Sequence, residues 1–394
     1  MYHPTPFLRR HLGATAGILF LLCCTEPFQP ENSGGYESAL VVDAKITNEF
    51  RKQEVFLSRA LRLEADTPRP ERNAQVQMID DQGNTIRFEE ASPGSYVSET
   101  AFAALPRREY RLQVVTRDTK VYESLPAELP TENPIDSLYA ERIINDDGQD
   151  GMAIFVDAYN PEGDSRYYHY DFEETYKIIA PLWRNRRLII GPAGGLILGP
   201  QEREERVCYT TDTSHKLILT NTHTLNEDRI KRFMVRFINR DNYIISHRYS
   251  ILVKQYILTA GAYNFYETLS TFSSSESLLS ESQPGFFNGN IVYVDSPTEK
   301  VLGYFTIATV SSKRIFFDYT SFFPGEALPP YVNDCRVYAP SPRDLGFLFL
   351  QNQIRYISNN DQPEPGEGPY FIVPRVCGDC TVLGDLEPPD FWVE

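Results

Sequence analysis

Short apolar–polar alternations, broken at regular intervals by turn residues, constrain this chain more than any other feature of its sequence. Ala74-Gln75-Val76-Gln77-Met78-Ile79 and Tyr110-Arg111-Leu112-Gln113-Val114-Val115 place apolar side chains at every second position. A period of two puts those side chains on one face of a strand and scatters them around a helix. Asp81-Gln82-Gly83-Asn84 follows the first alternation and reads as a hairpin turn, with Gly83 free to take a positive φ. The strand returns over Thr85 to Phe88. Ala39 to Ile46, Glu54 to Leu57, Gly94 to Val97 and Val121 to Ser124 bring the total to about seven short strands. Composition agrees: 24 Tyr, 24 Phe and 28 Pro against 4 Met favour strands and turns over long helices.

The spacing predicts a β-sandwich over residues 37–130, of the immunoglobulin-like or prealbumin-like kind. Pro126, Pro130 and Pro134 then fall within ten residues, which suits a semi-rigid linker. With 394 residues, the chain exceeds what one compact core usually holds, so a second domain is expected over 131–394. It is again mainly β and antiparallel, with strands expected near Met152–Val156, 166–172, 175–180, 187–191, 215–220, 231–239, 243–254, 289–294 and 301–308. One amphipathic helix is expected after Thr259 as N-cap, because Ala262, Phe265, Leu269 and Phe272 form an apolar stripe suited to packing across a sheet. The last stretch of about 60 residues is rich in Pro and Gly and shows no strong strand pattern.

Residues 1–23 read as a lipoprotein signal peptide. Arg9, Arg10 and His11 precede an uncharged run from Leu12 to Leu22, too short for a bilayer-spanning helix, which needs about 20 apolar residues. The run closes on Leu21-Leu22-Cys23-Cys24, and Cys24 fits the lipidated position because small Cys23 then precedes the cut. Removing the signal takes away Arg9 and Arg10 and deepens the formal charge from −16 to −18. Residues 24–36, with Pro27, Pro30, Gly34, Gly35, Glu26 and Glu31, read as an acidic tether. Thr25, not Asp, follows the cysteine. The expected location is the outer membrane, lipid-anchored, on the extracellular face, with the periplasmic face as the alternative. The acidic balance argues against a nucleic-acid partner.

Four cysteines remain after Cys24: Cys208, Cys335, Cys377 and Cys380. An oxidising compartment makes them disulfide candidates. The expected pair is Cys335 with Cys377 or Cys380, closing a loop worth about 4 kcal/mol of chain entropy. A Cys377–Cys380 bridge competes, and Cys208 takes whichever partner is left. Cys377-Gly378-Asp379-Cys380 has the spacing of half a zinc site, but no second such pair and no later histidine accompany it.

Other chemistry finds little support. His169, His215, His223 and His247 fit no recognised metal spacing, and His169, within Arg166-Tyr167-Tyr168-His169-Tyr170, reads as a strand residue. No strained nucleophile elbow occurs. Gly191-Pro192-Ala193-Gly194-Gly195 lacks the Lys-Ser/Thr of a phosphate loop and reads as a hairpin tip. Glu173-Glu174 are adjacent acids whose pairing sequence alone does not define. Asn145-Asp146-Asp147-Gly148-Gln149-Asp150-Gly151 fails the calcium-loop template, with Asp150 where Gly belongs and Val156 where Glu closes the site. The expectation is a protein that is not an enzyme, with no cofactor and no metal.

Several ordered segments resemble a family of Bacteroidota lipoproteins catalogued as domain of unknown function 4249. They are Cys24-Thr25-Glu26-Pro27-Phe28, Ala39-Leu40-Val41-Val42, the strands from Ala74 to Ser124, Pro134-Ile135-Asp136-Ser137-Leu138-Tyr139, Gly289-Asn290-Ile291, and Val301-Leu302-Gly303-Tyr304-Phe305. Cys377-Gly378-Asp379-Cys380 and Pro389-Asp390-Phe391-Trp392 close the pattern. The resemblance implies a cell-envelope lipoprotein, often encoded beside a TonB-dependent outer-membrane transporter, and implies no catalytic residues. The functional expectation is an accessory or binding subunit of such a transporter in nutrient uptake, its ligand unknown. A structural or adhesion-type surface lipoprotein is the alternative.

Overall fold

A computed structural model describes residues 39–60, 69–274 and 289–394. The stretch read as a signal peptide, Cys24 and the stretch read as a tether lie outside the described residues. The first strands follow the alternation: β1 (Leu40–Thr47), β2 (Glu54–Arg59), β3 (Arg69–Pro70), β4 (Gln75–Asp80), β5 (Thr85–Ser92), β6 (Ser95–Ser98), β7 (Glu109–Val115), β8 (Val121–Ser124) and β9 (Ala127–Glu128). Leu40, Val42, Ala44 and Ile46 of β1 are fully buried while Val41, Asp43 and Lys45 face the other way. Each such apolar side chain stabilises the core by about 1.5–3 kcal/mol, less for alanine. The turn at 81–84 forms as read, with Gly83 at φ 83°.

The second segment begins with β10 (Ser137–Ile144), β11 (Asp150–Asn160), β12 (Tyr167–Ile179), β13 (Arg186–Ile190), β14 (Leu196–Pro200), β15 (Val207–Thr213), β16 (Ile218–Asn221), β17 (Asp228–Asn239) and β18 (Arg248–Ile257). Helix α1 (Ala260–Ser274), β19 (Ile291–Tyr293), β20 (Leu302–Asp318) and α2 (Tyr319–Phe322) follow. The chain closes with α3 (Pro342–Leu350), β21 (Ile354–Asn359), β22 (Tyr370–Pro374) and α4 (Arg375–Gly378). The architecture is mainly β, with antiparallel sheets and few helices.

Three local expectations are corrected. Residues 166–172 and 175–180 are one strand, β12, because Glu173 and Glu174 do not break it: Arg314 meets Glu173 on one face and Arg236 meets Glu174 on the other. The stretch 243–254 is not one strand. Asn242 caps a single 3₁₀ turn at Tyr243–Ile245 before β18 begins. The Pro- and Gly-rich end holds a β21–β22 hairpin and helix α3, whose start is fixed by Ser341, its Oγ accepting from Asp344 N, and by Pro342 in the first turn.

Strand β20 joins the two segments. Its first half, 302–308, runs parallel to β1, and its second half pairs antiparallel with β18. At the other end of the sandwich strands, β19 pairs with β8. The Asn290 side chain closes the gap between β19 and β20, donating to Phe305 O and accepting from Phe305 N, each at 2.8 Å. Ile291, Val301, Phe305 and Ile307 accordingly sit in the same apolar core as Leu40, Tyr96 and Tyr122. The core of residues 37–130 is therefore completed by residues beyond the Pro-rich linker. Gly303, at φ 96°, allows this junction, since a Cβ there would overlap Val42 O. A second core lies between β12, β18 and the β10–β11–β17 sheet.

Candidate functional site

Helix α1 crosses the face of β12, β18 and β20 opposite the second core. Thr259 starts it as expected, its Oγ1 accepting from Ala262 N at 3.3 Å. Ala262, Tyr263, Phe265 and Tyr266 are buried against Tyr256, Leu258, Ala308 and Val310. The sequence stripe is thus half right: Ala262 and Phe265 are in the core, whereas Leu269 stands 36% exposed. Leu269 instead forms one wall of a groove of about 1000 Å³, whose other walls come from Val41 to Asp43, His215 to Leu217 and Leu302 to Tyr304.

A polar cluster lies on the same sheet face. Alternation along β12 sends Tyr168 and Tyr170 into the second core and leaves His169 and Asp171 on the α1 side. His169, only 2% exposed, lies between the rings of Tyr256 and Tyr266, with centroids 5.5 and 5.9 Å away. Its Nδ1 is 3.5 Å from Lys45 Nζ, and its Nε2 is 3.3 Å from Asp171 Oδ1 but out of hydrogen-bonding line. Burial first, and the Lys45 ammonium second, lower the His169 pKa to about 4 against the opposing pull of Asp171. The ring is neutral near pH 7, and an ammonium facing Nδ1 places the proton on Nε2.

Lys45 also bonds Asp171 Oδ2 at 3.3 Å and caps the Tyr256 ring at 4.2 Å. Asp43, two residues before Lys45 on the same face, is open to solvent yet surrounded by protein at the groove. That enclosure raises its pKa; Lys45 opposes the rise and Asp171 adds to it. No described side chain donates a hydrogen bond to its carboxylate. Among the described residues no serine, threonine or cysteine is hydrogen-bonded to His169. The arrangement offers an acceptor and an aromatic wall to a bound molecule, while Lys45, His169 and Asp171 hold one another.

The four cysteines form two bridges, Cys335–Cys377 and Cys208–Cys380, with Cα separations of 5.5 and 5.6 Å. Cys377 is thus the partner that Cys335 takes, and the competing Cys377–Cys380 bridge does not form. The two halves of the C-x-x-C face different elements: Cys208 is on β15, and Cys335 is in the loop before α3. Asp379 between them is fully buried and was not singled out by sequence reasoning. It accepts from Arg375 Nε at 2.7 Å, from Arg355 and from Thr381 N at 2.9 Å. Its position inside a Cys-x-x-Cys is the signal that marks it.

The other singled-out residues are scattered. Glu174 is buried, with Arg236 Nη2 at 3.0 Å and Tyr249 Oη at 2.6 Å, and faces away from Glu173. Residues 145–149 form the β10–β11 turn, where Asn145 Oδ1 accepts from Gln149 N, and Asp150 and Gly151 begin β11. Residues 191–195 form the tip of the β13–β14 hairpin. His223 stacks on Tyr167 at 6.0 Å, and the His247 pKa is lowered by burial and then by Lys177. No group of three metal-ligating side chains occurs among the described residues. No described helix is long and apolar enough to cross a membrane.

The sequence matches the family model described as Domain of unknown function (DUF4249) over residues 25–314. The chain belongs to this family. The DUF4249 span runs from before β1 into β20, so the groove lies within it, while Cys335, Cys377, Asp379 and Cys380 lie beyond its end. Comparison with curated proteins gives no match. Among solved structures, trypsin-activated alpha-2-macroglobulin from Escherichia coli aligns at 10% identity and a TM-score of 0.16. The alignment covers 59% of this chain and 15% of that one, and carries no argument about fold or function.

Proposed function

We propose that this chain is a non-catalytic cell-envelope lipoprotein, anchored through Cys24, that serves a TonB-dependent outer-membrane transporter as a surface accessory or binding subunit. The observation that carries the reading is the groove beside α1. It combines a solvent-open carboxylate, Asp43, with an aromatic and aliphatic wall and the Lys216 side chain, while Lys45 beside it is already held by His169 and Asp171. Such a surface holds a ligand by hydrogen bonding and apolar contact. The lipoprotein signal shape at Leu21 to Cys24 supports anchoring, for which two or more acyl chains are needed.

The test is growth of a deletion strain on single nutrients, complemented with wild-type chain or with Cys24→Ala. The expected result is a growth defect on a defined nutrient, restored by the wild type and not by the anchorless variant. Wild-type growth of the deletion strain on every nutrient contradicts the reading and favours a structural or adhesion-type lipoprotein.

A further inference from the structure

A second cavity lies away from α1, in the region closed by the disulfides. The β13–β14 hairpin packs against α3 and β21 around Leu188, Leu345 and Ile354, and a cleft of about 420 Å³ remains beside them. One side is apolar, from Ile190, Phe349 and Tyr356; the other is polar, from Arg187, Asn352, Arg355 and Gln201, with Glu205 already accepting from Gln201 and Arg203.

One buried donor beside this cleft lacks an acceptor. Arg187 reaches Glu202 through Nη2, but its Nε is buried with no hydrogen-bond partner. A buried donor left without an acceptor is destabilising, more so when charged, so its retention calls for a reason. Asn352, exposed at the rim, has its Oδ1 engaged by Arg355 Nη1 at 2.8 Å and its amide N–H groups open to the cleft and to solvent. The charge balance points the same way. Arg187, Arg203, Arg355 and Arg375 stand against Glu202, Glu205 and Asp379, an excess of one positive charge in a chain of net −16.

We propose that this cleft binds a single carboxylate carried on an apolar body, with the head group accepting from Arg187 and Asn352 and the body lying on Ile190, Phe349 and Tyr356. Guanidinium matches a carboxylate through paired N–H donors, and one negative charge completes the local balance. The site is independent of the groove beside α1.

Isothermal titration of the full, disulfide-bonded chain with octanoate, octylammonium and acetate tests the assignment. Octanoate is expected to bind saturably, with acetate and octylammonium weaker by about tenfold or more. Arg187→Gln is expected to weaken octanoate about tenfold without lowering the melting temperature, since it removes the unpaired buried Nε. Asn352→Asp, which tolerates the left-handed backbone at φ 52°, sets a negative charge beside the ligand and is expected to weaken it similarly. Equal binding of octylammonium, undiminished octanoate binding in both variants, or no saturable binding at millimolar octanoate overturns the proposal.

Discussion

Lys45 on β1 and Asp171 on β12 meet at 3.3 Å although β20 and β18 lie between their strands in the sheet. The lysine passes over the ring of Tyr256 on β18 and ends beside His169 as well. One side chain thus links the first strand to residues more than a hundred positions later, on the face that carries the groove. The pair is partly exposed, so its own contribution to stability is small, about 1 kcal/mol or less. Its larger effect falls on His169. Lys45→Met removes a positive charge next to the imidazole, so the His169 pKa is expected to rise above its wild-type value of about 4. An NMR titration of the His169 ring reads this directly, and an unchanged pKa would show that Lys45 is not its neighbour.

The same histidine gives the fold a pH dependence of defined sign. In the unfolded chain His169 takes a proton below about pH 6.5, whereas in the folded chain it does so only below about pH 4. The unfolded state therefore binds more protons between these values, and stability falls as the pH drops through that window. His169→Phe keeps a ring between Tyr256 and Tyr266 and removes the titration. Urea unfolding at about pH 7 and about pH 4.5 is expected to show the wild type losing about 2–3 kcal/mol relative to the variant. Parallel losses in both proteins contradict the burial of His169.

The bridges Cys208–Cys380 and Cys335–Cys377 span 172 and 42 residues. Chain-entropy estimates for loops of those lengths are about 5 and about 4 kcal/mol. Non-reducing peptide mapping is expected to recover these two linked pairs. Paired Cys→Ser variants are expected to lower stability, with the 208/380 variant losing more. A peptide containing an intact Cys377–Cys380 bridge would refute the connectivity.

Asp379 holds the loop between these two bridges. Removing its carboxylate leaves Arg355 and Arg375 facing each other without their shared acceptor, and breaking such a buried pairing costs about 3–5 kcal/mol. Asp379→Ala is expected to lose about that much in urea unfolding with both disulfides intact. A loss below about 1 kcal/mol would show that the arginines are held by other groups.

The sandwich strands were legible because alternation and turn chemistry are local: Val76, Met78, Leu112 and Val114 announce their buried face within a few residues. The helix after Thr259 was legible for the same reason. The division of β20 between β1 and β18 was not, since pairing between distant strands leaves no local mark beyond Gly303. The groove was hidden more deeply. Asp43 and Lys45 look like ordinary outward residues of a half-buried strand, and only the folded sheet brings them to His169, Asp171 and Tyr266. The cysteines were read as disulfide candidates, yet their pairing depended on β15 reaching the Cys-x-x-Cys from far along the chain.

Mild-detergent extraction of the native membrane, followed by affinity recovery of this chain through a C-terminal tag, tests the transporter partnership most directly. The expected result is recovery of a large β-barrel protein in one-to-one amount with this chain. Recovery of the chain alone as a monomer, under conditions that keep other β-barrel complexes intact, would contradict it.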